Sequence, residues 1–349
     1  MVYGGMGIGK SAIPKQVFIE YAKEKNLQFK EWSSISDSRE KELIINNAGD
    51  YFIFMDIRAA QLDPTFLTGI PNMSKSDMLE NIPYSWIIYF TNPRANGIIF
   101  FDEINLAAPL IQAITYQIIH DRVISDRKLG DNVFALAAGN RLCDNAHIFD
   151  MPDPLKDRFV EVEMEISADE WLKWAIKNNI NSHLIAFITW KKSYLYKISE
   201  NGTDKNTTPR GIEFLSKLIG DMDISDEYTY ELAASRCGVG FAKEFGAYIK
   251  CFIKLDWNKI YSNPSIIEKF EIDQMYAIMG GLVEQYKESK FNIDTFSKIC
   301  SVLLHLREDF SIATLKMIKS VSLQQFKDNI RGTDIGKEIA VKYGKYIIK

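Results

Sequence analysis

The chain has 349 residues, 46% hydrophobic and 12% aromatic, which is enough for two domains with true cores. Lys and Arg number 42 against 46 Asp and Glu, a formal charge of −4. That balance gives no global pull toward nucleic acid or an anionic membrane, although local basic patches stay compatible with it. Cys143, Cys237, Cys251 and Cys300 are far apart and make neither a disulfide framework nor a CxxC zinc site. His120, His147, His183 and His305 are equally scattered and make no metal pattern. No signal peptide and no apolar run of membrane-spanning length is visible, so a soluble, cytoplasmic protein with no membrane partner is expected.

In chain order, Gly4-Gly5-Met6-Gly7-Ile8-Gly9-Lys10-Ser11 comes first and fits the phosphate-loop pattern G-x-x-x-x-G-K-[ST]. Glycines at that spacing let successive N–H groups turn inward as an anion nest. A helix starting near Gly9 adds its N-terminal dipole. Lys10 is expected on the β- and γ-phosphates of ATP and the Ser11 hydroxyl on Mg²⁺. Only Met1-Val2-Tyr3 precede the loop, whereas a strand of about 5–6 residues is usual there. The expectation is a stub of a strand, or a natural chain that begins further upstream, with the segment over the adenine missing.

A helix then runs through Pro14 to about Lys25. Pro14 lacks the N–H that would bond the Lys10 carbonyl. A strand follows at Gln28–Trp32, a polar helix at Ser38–Ala48, and a strand at Tyr51–Ile57. Leu62–Pro71 reads as short helix and turn, Asn72–Asn81 as a polar surface insertion, and Ile82–Phe90 as a helix. Gly97-Ile98-Ile99-Phe100-Phe101-Asp102-Glu103 is apolar enough for a strand covered on both faces. It ends in two acids where parallel sheets place ligands. Asp102 is expected in the Mg²⁺ shell and Glu103 beside the attacking water.

A helix at Pro109–His120, a hairpin or loop at Arg122–Asp131 and a buried strand at Val133–Ala138 come next. The strand ends in Ala138-Gly139-Asn140-Arg141, which puts an amide beside the acids if the strands are neighbours. Asp153-Pro154 opens a short helix that ends at Asp157-Arg158-Phe159, and a strand follows at Phe159–Glu165. Beyond Ser167 the pattern is helical: Ala168–Asn178, Ser182–Tyr194, a polar linker Ser199–Thr208, then a helix begun by Thr208-Pro209. Arg210 in its first turn opposes the helix dipole and so asks for an anion or for solvent. Further amphipathic helices fill Glu227–Lys349, with breaks expected at Gly238, Gly240 and Gly280-Gly281. The expected division is an α/β nucleotide-binding core over 1–165, a helical lid over 166–260 and a helical extension over 261–349.

These motifs together resemble an AAA+ ATPase of the MoxR family. Beside the phosphate loop and IIFFDE, FALAAGN is similar to the sensor-1 strand with Asn140 as sensor. DPLKDRF resembles the segment with the arginine finger, here Arg158, and TPRGIEFL is similar to the sensor-2 helix with Arg210. DEIN with Leu106–Pro109, the stretch Gln61-Leu62-Asp63-Pro64 to Gly69-Ile70-Pro71, DEWLKWA and REDFSIATL extend the likeness. It implies a P-loop NTPase (AAA+) parallel sheet flanked by helices, then an all-α lid and C-terminal helical region. It also implies a homo-oligomeric ring, commonly a hexamer, that hydrolyses ATP with Mg²⁺ between subunits. A chaperone-like action on a protein client, often beside a von Willebrand A domain protein, is implied as well. Two alternatives share the same ATP site: a nucleic-acid-dependent motor or clamp-loader-like ATPase, and a scaffold that binds nucleotide without hydrolysis.

Overall fold

The computed structural model describes residues 1–72, 81–140, 160–199, 204–220 and 222–347. These form two units, Met1–Glu165 and Ile166–Lys349, each with a core of its own.

The first unit is built on a six-stranded parallel sheet. Its strands are β1 (Val2–Tyr3), β2 (Gln28–Glu31), β3 (Tyr51–Arg58), β6 (Asn96–Asp102), β9 (Asn132–Gly139) and β10 (Val162–Glu163). Their order across the sheet is β10-β1-β9-β6-β3-β2. The phosphate loop therefore leaves a central strand, and the acid-tipped β6 lies one strand away, across β9. The continuous apolar runs divide with period two. Phe52, Phe54, Ile98 and Phe100 face helix α1 (Ala12–Glu24), where Phe18 and Tyr21 pack on Phe52. Ile53, Met55, Ile57, Ile99 and Phe101 face the opposite layer, which holds α4 (Ser85–Phe90) and α5 (Pro109–His120). Each fully buried Phe or Ile side chain contributes roughly 1.5–3 kcal/mol, which is why the sheet needs no polar face.

The sequence boundaries shift in places for local reasons. β2 stops at Glu31 because Trp32 opens a 3₁₀ turn and buries its ring. The helix expected over Ile82–Phe90 begins only at Ser85, because Pro83 holds Ile82 extended. Asn81–Ile82 (β5) instead pairs antiparallel with Ile70–Pro71 (β4), just after the short α3 (Thr65–Thr68). The polar helix expected at Ser38–Ala48 is α2 (Ser38–Asn46), capped by Asp37. Arg122–Asp131 contains a hairpin, β7 (Val123–Ile124) with β8 (Arg127–Lys128). Pro14 is harmless because α1 starts at Ala12, so the missing N–H belongs to the first turn. The helix expected at Asp153 lies outside the described residues.

The second unit is all-helical. It runs through α6 (Ala168–Lys177), α7 (Ser182–Trp190), α8 (Pro209–Ile219), α9 (Tyr228–Cys237), α10 (Val239–Ile253) and α11 (Trp257–Ser262). It continues with α12 (Ile272–Glu288), α13 (Ile293–His305), α14 (Glu308–Val321), α15 (Leu323–Gly332) and α16 (Asp334–Ile347). Gly238 does break the chain, at φ 92° between α9 and α10. Gly240 and Gly280-Gly281 do not, contrary to the sequence expectation. They lie inside α10 and α12, and the glycine pair serves close packing. A Cβ on Gly280 would stand 2.6 Å from Tyr248 Oη, and one on Gly281 would stand 2.5 Å from the Trp257 ring. No helix among the described residues is long and apolar enough to cross a membrane.

Candidate nucleotide-binding site

The loop between β1 and α1 folds as its glycines require. Gly7 and Gly9 have φ of 67° and 104°, backbone that side chains rarely adopt. Neither glycine's N–H donates to a backbone carbonyl in a loop hydrogen bond among the described residues, and such a glycine turn is the kind of backbone that can form an anion nest. Lys10 is buried at 8% exposure, and its ammonium donates to Gly4 O at 2.8 Å, Gly5 O at 2.7 Å and Asn140 Oδ1 at 2.9 Å. A buried ammonium held by the loop carbonyls at the mouth of the glycine turn is placed to meet an incoming phosphate. Met6 and Ile8 form the outer turn of the loop, with Met6 at 36% exposure.

Ser11 occupies the N-cap position of α1, yet its side chain caps nothing. Its Oγ donates instead to Asp102 Oδ2 at 2.6 Å. The sheet register explains the meeting: Asp102 lies opposite Arg58 on β3 and on the same face as Phe100, the face that α1 covers. Oxygens on adjacent corners of a Mg²⁺ octahedron with ~2.0–2.1 Å bonds lie about 2.9 Å apart. The hydroxyl and the carboxylate, 2.6 Å apart, are the two groups here that could hold such a cation on adjacent corners after a small opening. Among the described residues no His, Cys, Asp and Glu group forms a separate metal cluster.

Glu103 follows at φ 55°, ψ 37°, a left-handed conformation that costs an acidic residue roughly 1–2 kcal/mol. Its N–H donates to Asp102 Oδ1 at 3.0 Å, which holds the turn closed. The turn ends the strand and leaves Glu103 half-buried beside Asp102.

Sequence reading overlooked two further groups. Asn105, 4% exposed, donates from Nδ2 to Asn140 O at 2.7 Å and accepts from Asn140 N at 3.2 Å. Its only signal was its place in Asp102-Glu103-Ile104-Asn105. Asp56 sits among Asp102, Arg58, Glu31 and Lys15 at the end of β3. Its carboxyl is pushed above the usual range, first by partial removal from water and then by the Asp102 charge. Asp56 and Arg58 also line a cleft of about 410 Å³ with Ser33, Gln61 and Phe66. Lys15 is paired with Glu31 at 2.6 Å.

Arg158 lies outside the described residues. Arg210 is an exposed residue in the first turn of α8, in the second unit, where Thr208 Oγ1 caps the helix by accepting from Gly211 N at 3.0 Å.

No protein-family model matches the chain, and no curated protein matches it. Among solved structures it is similar to NtrX from Brucella abortus, crystallised in complex with ADP, at 14% sequence identity and a TM-score of 0.36. The alignment covers 84% of this chain and 61% of that one, so this chain spans about three fifths of its length. By its own strand order and the position of its phosphate loop, the chain has an α/β core of the P-loop NTPase type, a parallel sheet flanked by helices, followed by an all-helical region.

Proposed function

We propose that the chain binds ATP with Mg²⁺ and hydrolyses it, and that it does so as a MoxR-type AAA+ ring that remodels or activates a protein client. One observation carries the reading: residues 91 and 130 positions apart in sequence meet at the loop, Ser11 with Asp102 and Lys10 with Asn140. Helix capping does not explain the first contact, because Ser11 forgoes its helix cap to reach Asp102, and the second joins the loop lysine to the end of a neighbouring strand.

In this reading the loop amides and Lys10 hold the β- and γ-phosphates, and Ser11 and Asp102 hold the cation, which screens phosphate charge. Glu103 orients and polarises the attacking water for in-line displacement, and Asn140 contacts the γ-phosphate end. Positioning and charge neutralisation supply most of such catalysis. Arg210 and Arg158 are proposed as the sensor and finger arginines that complete the site on assembly. The client is proposed to meet the insertion between β4 and β5, whose paired ends expose Ile70 and Ile82 at 52% and 56%. Ser125 of the β7–β8 hairpin ties down its base through a 2.7 Å bond to Thr68 O.

The test is a pair of variants. Lys10→Ala should lose nucleotide binding, followed by fluorescence of a labelled ATP analogue. Glu103→Gln should bind ATP with near-normal affinity and release phosphate at least about a hundredfold more slowly, within the range general-base groups supply. Wild-type turnover by Glu103→Gln would remove Glu103 from its role, and ATP binding by Lys10→Ala would remove the loop from its own.

A further inference from the structure

We propose that Asn105 is a positioning residue of the ATPase site, one that holds the Asn140 amide in place by standing in for the missing rung of the sheet. The proposal rests on the ATPase reading above. The β6–β9 ladder ends at the pair Phe101 and Ala137, because the chain leaves β6 through Asp102 and the left-handed Glu103. β9 continues for two more residues and is paired there only on its other side, Ala138 with Val2 and Gly139 with Tyr3. The backbone N–H and C=O of Asn140 would consequently be orphaned in a buried place.

The Asn105 side chain supplies both partners at once, donating to Asn140 O and accepting from Asn140 N, as a peptide group on a neighbouring strand would. A carboxamide is the one short side chain with a donor and an acceptor in that geometry. Space confirms the fit: a Cβ on Gly139 would lie 3.0 Å from Asn105 Oδ1. With its backbone so pinned, Asn140 directs Oδ1 to the Lys10 ammonium at 2.9 Å. Asn105 also sits two residues after Glu103 on the same 3₁₀ turn, which Leu106 N closes by donating to Glu103 O at 2.9 Å. One buried amide therefore joins the turn that aims the hydrolytic acid to the strand end that aims the sensor.

The experiment is a double-variant cycle with Asn105→Ala, Asn140→Ala and both together, read as kcat and as nucleotide Kd. Asn105→Ala should lower kcat about tenfold or more while Kd moves less than about threefold. Added to Asn140→Ala it should cost almost nothing further, because its effect passes through Asn140. Full additivity, or a loss in Kd equal to that in kcat, overturns the proposal. Amide hydrogen exchange gives a readout independent of turnover: the Asn140 N–H should exchange at least about tenfold faster in Asn105→Ala than in wild type. Unchanged exchange overturns the proposal even if the chain proves inactive, and a wild type that releases no phosphate rejects only the ATPase reading. Should Asn105→Ala fail to fold, Asn105→Asp keeps the shape and the acceptor, loses the donor, and is expected to change kcat and exchange in the same direction.

Discussion

Ser11 separates what the local sequence carries from what the fold adds. Its place after Gly9-Lys10 makes it the expected cation ligand, and the register of Asp102 opposite Arg58 brings the carboxylate to it. Replacing it tests that geometry more sharply than removing Asp102, which would also strand the Glu103 N–H. Ser11→Ala should leave the loop folded, since the hydroxyl caps no helix N–H. ATP hydrolysis at saturating Mg²⁺ should fall, and the Mg²⁺ concentration for half-maximal rate should rise at least about fivefold, a loss of ~1 kcal/mol in cation affinity. An unchanged Mg²⁺ titration would take Ser11 out of the cation shell. Gly4 to Ser11, Asp102, Glu103 and Asn140 were nominated from short runs, and the fold joins Ser11 to Asp102 and Lys10 to Asn140. Asn105 and Asp56 were not nominated, because their partners lie on other strands and no spacing along the chain announces a register.

The elements follow the same division. Tyr51–Ile57 was readable as a strand and the Gly97–Glu103 run as one covered on both faces, and they are Tyr51–Arg58 and Asn96–Asp102 in the fold, while the helix Pro109–His120 was readable with its bounds. Gly280-Gly281 misleads because helix propensity opposes it by roughly 0.5–1 kcal/mol per glycine, while the compensating contacts come from distant helices. α12 crosses α7 where His183 is fully buried, with Nδ1 2.9 Å from Tyr248 Oη and Nε2 2.7 Å from Glu284 Oε2. Only a glycine lets the α12 backbone pass that cluster, since a Cβ on Gly280 would be 2.9 Å from His183 Nδ1 as well as 2.6 Å from Tyr248 Oη. Gly280→Ala should thus destabilise the helical unit by about 1–3 kcal/mol, as overpacking does, although alanine is the better helix former. Chemical denaturation followed by tryptophan fluorescence would show it. A stability equal to or above wild type would mean the crossing has room that these distances deny.

At the scale of the whole molecule, the first unit joins Lys10 to Asn140 and Ser11 to Asp102, with Glu103 next along the chain. The proposed ring would complete this site from another chain, with Arg158 as the proposed donor. It follows Asn140 by 18 residues, and a planar guanidinium is suited to the charge that spreads over the transferring phosphoryl oxygens. An ion pair with Asp157 or Glu161 is the competing role, and magnitude separates the two. A finger is worth roughly 10³–10⁵ in rate, whereas a surface pair is worth about 0–1 kcal/mol of stability and nothing in turnover. Arg158→Ala should therefore bind ATP nearly normally and lose almost all hydrolysis, whereas Lys10→Ala should lose its own site and keep a usable finger. If fingers act between neighbours in a head-to-tail ring, mixing the two inactive variants one to one places an intact loop beside an intact finger at about a quarter of the interfaces. Phosphate release should reappear in proportion to that fraction and vanish on dilution below the assembly concentration. Mixtures that demonstrably co-assemble and still release no phosphate would confine Arg158 to its own subunit, and the ring would no longer be needed to explain the site.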